Sequence, residues 1–281
     1  MKTIALLGAA GKVGTRISNR MQDDPNYRML HVEAGEAGQA RLRERGLTPV
    51  AQAEAEQQAD VVILAVPDVV LGKIAHDVVP NLRPGALVIC LDPAAPFGGE
   101  LPQRSDIAYF VTHPCHPPIV NDETDLEAKF DFYGGIKAKQ HIVCALMQGA
   151  EENYQLGEQI ARTIFAPVMN AYRVTVEQMA ILEPALSETF VLTCMYMIRE
   201  AIDEAVKRGV PAEAARQFIL GHMNINTAIL FGFLDIQFSD GAKLAVERAR
   251  PLLFNPDWRQ VFEPENVMEQ VKAITQGRAR G

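Results

Sequence analysis

Residues 4–17 read IALLGAAGKVGTRI, and the fold follows from how this stretch ends. An apolar run, Ile4 to Leu7, stops at Gly8. Gly11 and Gly14 follow at intervals of three, and a helical pattern begins immediately after them. A strand that turns on glycine into a helix brings backbone N–H groups to one point at the helix N-terminus, where an anion is favoured. The first glycine allows the tight turn, the second lets backbone approach a pyrophosphate, and the third lets helix and strand pack closely. The spacing is GxxGxxG rather than GxGxxG, so the surrounding pattern has to support the reading.

It does so over the first 150 residues, where short apolar segments alternate with helical ones. The strand candidates are IALLG, YRMLHVE, VVILAVP, ALVICLD, IAYFVTHP and HIVCALMQ. The unbroken apolarity of VVILAV implies burial on both faces, as in a doubly wound parallel sheet. Helical candidates run from Val13 to Met21, Gly38 to Gly46 and Val69 to Leu82. Beyond residue 150 only PVMNAYRV reads as strand, and long helical periodicity takes over from Val176 to Arg208, Pro211 to Phe231, Asp240 to Phe254 and Glu265 to Gln276. The expected α/β architecture is therefore a Rossmann-type nucleotide-binding domain over 1–150, followed by an all-helical domain over 151–281 that binds substrate and dimerises.

Composition narrows the partners. With 27 Lys and Arg against 35 Asp and Glu, the net charge is −8, and no basic run with interleaved aromatics occurs, so nucleic acid is not expected. The segment after Met1 enters a strand directly and no apolar run reaches the ~18 residues of a membrane helix, which gives the expectation of a cytoplasmic protein without a membrane partner. Cys90, Cys115, Cys144 and Cys194 form no paired motif, and no disulfide is expected.

The dinucleotide contacts expected at the turn are Gly8, Ala10, Gly11, Lys12, Val13 and Gly14. Glu33 ends YRMLHVE about 20 residues on, where a carboxylate accepts both ribose hydroxyls and repels a 2′-phosphate, so NAD is expected over NADP. A surface strand cap is the other reading of Glu33, and Arg41, Arg43 or Arg45 would invert the preference if one faced the ribose. Val66, Pro67 and Asp68, at the next strand exit, are expected to contact the adenosine or linker, with Asp68 also able to N-cap the helix from Val69.

Residues 112–118, THPCHPP, carry two histidines flanked by prolines that push them toward extended geometry. In that geometry His113 and His116 share a side about 9 Å apart along the axis. His113, at a strand's C-terminal end, is favoured as proton acceptor or metal ligand, against a structural histidine bonded to a carbonyl. Glu183 directly precedes Pro184 in VEQMAILEPALSETF. A helix kinked there turns Glu183 into a cleft as acid, base or ligand, whereas a helix boundary at the proline does not. His222, Asn224 and Asn226 lie in an apolar helix without an assignable role.

Taken together, GAAGKVG, AVPD, THPCHPP, ILEPALSET and FNPDWRQVFEPENV resemble the bacterial D-apionate oxidoisomerase family, related to the phosphogluconate and hydroxy-acid dehydrogenases, over essentially the whole chain. The resemblance implies an NAD-dependent enzyme that oxidises a branched sugar acid and moves its carbon skeleton to give a linear 3-oxo acid. It also implies that His113 and Glu183 hold a divalent ion, zinc, manganese or magnesium, and that two copies pair through the helical region. One departure stands out. Hydroxyisobutyrate and phosphogluconate dehydrogenases carry a catalytic lysine in the first long interdomain helix, and VTVEQMAILEPALSETF has none. A plain hydroxy-acid dehydrogenase and a non-catalytic NAD sensor are the competing readings.

Overall fold

The computed structural model describes residues 1–277. Seven strands, β1 (Lys2–Leu7), β2 (Tyr27–Val32), β3 (Val61–Leu64), β4 (Leu87–Cys90), β5 (Ala108–Pro114), β6 (Gln140–Gln148) and β7 (Val168–Arg173), form one sheet in the order β2-β1-β3-β4-β5-β6-β7. The first five are parallel, β6 runs antiparallel to β5, and β7 is parallel to β6. From β1 the chain goes to β2 on one side and then crosses back to β3 on the other, which makes the carboxyl ends of β1 and β3 the switch point where such sheets take ligands.

The connecting helices are α1 (Lys12–Met21), α2 (Glu36–Glu44), α3 (Gln52–Gln58), α4 (Asp68–Val78), α5 (Ala94–Phe97), α6 (Leu126–Lys129) and α7 (Glu151–Ile164). Alternation along the strands feeds two cores. Ile4, Leu6, Val61 and Ile63 meet Ile17 and Met21 of α1, Leu42 of α2, and Ile160 and Ala161 of α7. Ala5, Leu7, Val62 and Leu64 meet Ala55 of α3 and Leu71, Ala75 and Val78 of α4. Each fully buried aliphatic side chain contributes about 1.5–3 kcal/mol, so both faces of the sheet are anchored where the phosphate turn begins.

The remaining helices are α8 (Val176–Ala180), a π-helical segment Ile181–Leu192, α9 (Thr193–Lys207), α10 (Ala212–Leu230), α11 (Asp240–Leu253) and α12 (Pro264–Gln276). Two compact units result. The first comprises Met1–Pro118, Glu123–Leu182 and the chain from Met268 on; the second comprises Ile119–Asp122 and Glu183–Val267. The division expected at 150/151 therefore falls elsewhere. PVMNAYRV is the seventh strand of the sheet and α7 packs on the face shared with α1, so both stay with the first unit, which α12 also rejoins.

Within the second unit, α9 and α10 are consecutive helices joined across Gly209, whose φ of +94° suits glycine. Phe190, Trp258 and Phe262 form an aromatic cluster, with 4.9 Å between the Phe190 and Trp258 centroids. No residue of α9 is buried, and in α10 only Ala215 is. The expectation that no segment could span a bilayer is corrected on length and composition. The continuous helix Val176–Lys207 contains an 18-residue window of mean hydropathy 1.3, of which 11% is buried.

Candidate functional site

The glycine turn is built as its spacing suggests. Gly8 has φ +78°, and a Cβ there would lie 2.3 Å from the Ala65 carbonyl oxygen. Gly14 is buried, and its Cβ would lie 2.1 Å from the Gly8 oxygen, so its absence lets α1 pack onto the turn. Gly11 is the N-cap of α1 and has no side chain to cap it. The first-turn N–H groups of α1 thus lack intrahelical acceptors, and with exposed Gly11, Lys12 and Val13 they suit a pyrophosphate.

A cavity of ≈ 510 Å³ beside this turn is lined by Gly8, Gly11, Glu33, Val66 and Pro67. Ala10, Lys12, Val13, Gly14 and Asp68 are not among its lining residues. Ala10 contributes instead through its N–H, which donates to Glu33 Oε1 at 2.6 Å. Asp68 is the first residue of α4 rather than its cap; Pro67 holds the cap position, and the carboxylate sits in the first turn, where the helix dipole favours it.

Two strands along the sheet, β5 delivers His113 and β4 is followed by Asp92. Cys90 pairs with Val111 in the β4–β5 register, and continuing it by two residues brings Asp92 beside His113. Asp92 Oδ2 lies 3.7 Å from His113 Nδ1, and Asp92 Oδ1 accepts the Ala94 N–H at 2.8 Å. His113 Nδ1 lies 2.9 Å from the Leu91 carbonyl oxygen. A carbonyl only accepts, so Nδ1 carries the proton and Nε2 is the basic nitrogen, the form that ligates a cation. A half-buried imidazole next to an ordered carboxylate suits a divalent ion with nitrogen and oxygen preferences. Beneath them, burial first and then the Asp92 and Asp68 carboxylates push the Cys90 thiol up to about 12, so it remains a neutral side chain.

His116 departs from the extended geometry expected of HPCHPP. Its φ is +60°, and its Nδ1 donates to the Tyr133 carbonyl at 2.9 Å. That bend holds the His113 and His116 rings edge to face at 6.2 Å. Histidine tolerates the left-handed region better than most side chains, and the Tyr133 bond offsets the strain. Tyr133 in turn lies under the Arg16 guanidinium of α1, 4.6 Å from its ring centroid.

Glu183 is half-buried in the first turn of the π-helical segment, beside buried Pro184 and Ala185. Neither a boundary nor a simple kink occurs there: the helix continues through Pro184 by widening its turns, which accommodates the missing N–H. In the second unit, His222 and Asn226 line an apolar cavity of ≈ 620 Å³ between α9 and α10, whereas Asn224 does not. His222 stacks on Phe218 at 4.0 Å within its own helix.

Comparison with known proteins agrees with this geometry. Residues 1–94 match the model of the NADPH-binding domain of acetohydroxy acid isomeroreductase, and residues 121–275 match that of the C-terminal part of decarboxylating phosphogluconate dehydrogenase. A D-apionate oxidoisomerase of Rhizobium rhizogenes is 52% identical over 98% of this chain and 100% of its own. One of Cupriavidus necator is 53% identical over 97% and 99%. A crystal structure described as a semialdehyde dehydrogenase NAD-binding protein from Cupriavidus necator, in complex with calcium and NAD, superposes with a TM-score of 0.95. It is 52% identical over 98% of this chain and 100% of that one.

Proposed function

Because the chain belongs to the D-apionate oxidoisomerase family, we propose that this NAD-dependent oxidoreductase oxidises a D-apionate-like branched sugar acid and rearranges it to a linear 3-oxo acid, using a divalent ion held by Asp92, His113 and Glu183. The observation that carries the reading is the pairing of Asp92 with His113 at the carboxyl ends of β4 and β5, in the same unit as the phosphate turn. Glu183, which the family resemblance implies as a ligand, is the third donor of the proposed set. The calcium in the related crystal structure supports an oxygen-rich cation site.

When bound, NAD supplies the hydride acceptor, and a divalent ion supplies Lewis acidity toward the substrate's hydroxyl and carbonyl oxygens. The chain's own part is placement. The first turn of α1 and Gly11 fix the pyrophosphate, Glu33 takes the adenosine ribose, and Val66 and Pro67 wall the adenosine cavity. Leu91 holds His113 in one tautomer, which makes Nε2 the basic nitrogen toward a cation or a hydroxyl proton. No lysine of VTVEQMAILEPALSETF is available for the proton-transfer role found in the hydroxy-acid relatives.

We also propose that two copies pair through the second unit. Its helices expose Val191, Leu192, Tyr196, Met197, Phe218 and Leu220, more apolar surface than a monomer normally leaves uncovered.

The test is NADH formation with D-apionate and with unbranched hydroxy acids, each with and without chelator, followed by identification of the product. Chelator-sensitive turnover with a rearranged product is expected, and His113→Ala and Glu183→Ala should each lower turnover at least ~100-fold while NAD still binds. Turnover retained in both variants removes them from the site. The match to the phosphogluconate dehydrogenase C-terminal model favours a second reading, oxidation without rearrangement, which an unrearranged keto acid would establish.

A further inference from the structure

Three arginines follow Glu33 closely in sequence, and the structure separates them. Arg43 is bound to the Glu36 carboxylate at 2.7 Å and to Gln39. Arg45 is bound to Asn19 at 2.8 Å and faces Thr15. Arg41 instead lines the same cavity as Glu33. Lys73 of α4 lines it as well, and among the described residues neither cation has an ion-pair or hydrogen-bond partner. Among the described residues, Asp77, one helical turn beyond Lys73, is the only other anion on the cavity wall.

Glu33 is held in its working position by two things. The Ala10 N–H donates to Oε1 at 2.6 Å, and Gly38 of α2 leaves room for the carboxylate, since a Cβ there would lie 2.6 Å from Oε2. That carboxylate is thus fixed between the phosphate turn and α2, on the wall that carries Arg41.

We propose that the adenosine cavity contains a latent 2′-phosphate site formed by Arg41 and Lys73, closed by the single carboxylate of Glu33, with Gly38 as the positioning residue that sets it. The chemistry is direct. A 2′-phosphate is a near-dianion, repelled by a fixed carboxylate and attracted to a guanidinium able to bind it through two N–H groups. With Glu33 in place, the two cations face an anion already supplied by the protein. Once its charge is removed, the same wall keeps both cations against one remaining carboxylate, that of Asp77. Discrimination between NAD and NADP then rests on one residue, and Gly38 acts on it without touching either coenzyme.

The experiment is calorimetric titration of the full chain with NAD, NADP and adenosine 2′-monophosphate. Wild type should bind NAD and discriminate against NADP. Glu33→Gln, which keeps an acceptor for the Ala10 N–H, and Glu33→Ser should each raise NADP and 2′-monophosphate affinity by ~10-fold or more, the size of one charge-assisted hydrogen bond. Adding Arg41→Ala to either should abolish the gain, whereas adding Arg43→Ala should leave it intact. Gly38→Ala displaces only the flexible end of Glu33, so it should lower the NAD to NADP affinity ratio while the melting temperature changes little. Unchanged NADP affinity in both Glu33 variants, or a gain that survives Arg41→Ala combined with Lys73→Ala, would overturn the proposal. The proposal rests on the coenzyme reading of the cavity, which wild-type NAD binding tests separately, and it is independent of which sugar acid is oxidised.

Discussion

His31, in the second strand, is 6% exposed, and its Nε2 lies 2.8 Å from Ser18 Oγ under the phosphate-turn helix. Burial first, and then the Arg45 charge, hold its pKa below the ordinary histidine value of about 6.5. Above that value the ring is neutral in both folded and unfolded chains and pH has no effect through it. As pH falls through it the unfolded chain takes up the proton first, so stability is lost down to the depressed folded value. Thermal unfolding should therefore show a falling midpoint below pH ~6.5, and His31→Gln should flatten that slope. At the same scale the place of Glu33 beside the glycine turn was legible in the sequence, and the approach of Asp92 to His113 was not. Glu33 stands at a fixed distance behind a glycine turn, whereas Asp92 is one of 35 acidic residues and meets His113 only through the register of two strands. His116 was misread for a related reason: its flanking prolines favour extended backbone, and a carbonyl 17 residues away supplies the bond that bends it.

Among the elements, the strands and the helices that flank the sheet followed the hydrophobic period closely, because both faces of the sheet and one face of each such helix are buried. The π-helical segment was not readable, since proline signals interruption without saying whether a helix ends, bends or widens. Removing the cause should reveal its use. Pro184→Ala restores a backbone donor, so the unfolding midpoint should rise while turnover falls; unchanged turnover would mean that the widened turns have no part in placing Glu183. The turn between β1 and α1 offers a sharper contrast. Gly14→Ala drives a methyl to 2.1 Å from backbone oxygen and should cost about 1–3 kcal/mol with loss of NAD affinity. Gly11→Ala, at 3.2 Å from the same oxygen, should be much milder by calorimetry yet still weaken NAD binding, because its methyl stands where backbone approaches the pyrophosphate.

For the whole molecule, the units differ in how they are stabilised. The first buries two cores against its sheet, while the second leaves α9 without a buried residue and carries an apolar cavity between α9 and α10. Sedimentation should find a dimer in detergent-free buffer, and Phe218→Glu on that cavity wall should shift it toward monomer; a monomeric wild type would remove the pairing. The unit boundary escaped the sequence because helical composition changes near residue 150, whereas attachment to the sheet persists to Leu182 and resumes at Met268. That return has a consequence for how the protein is made. Val271 is fully buried, and its side chain would lie 3.3 Å from a Cβ at Gly98, so a strip of the first unit waits for residues that leave the ribosome long after its sheet has emerged. The nascent sheet must stay soluble with that strip bare while all of Glu183–Val267 is synthesised, which makes the interval before α12 docks the one in which a chaperone has most to protect.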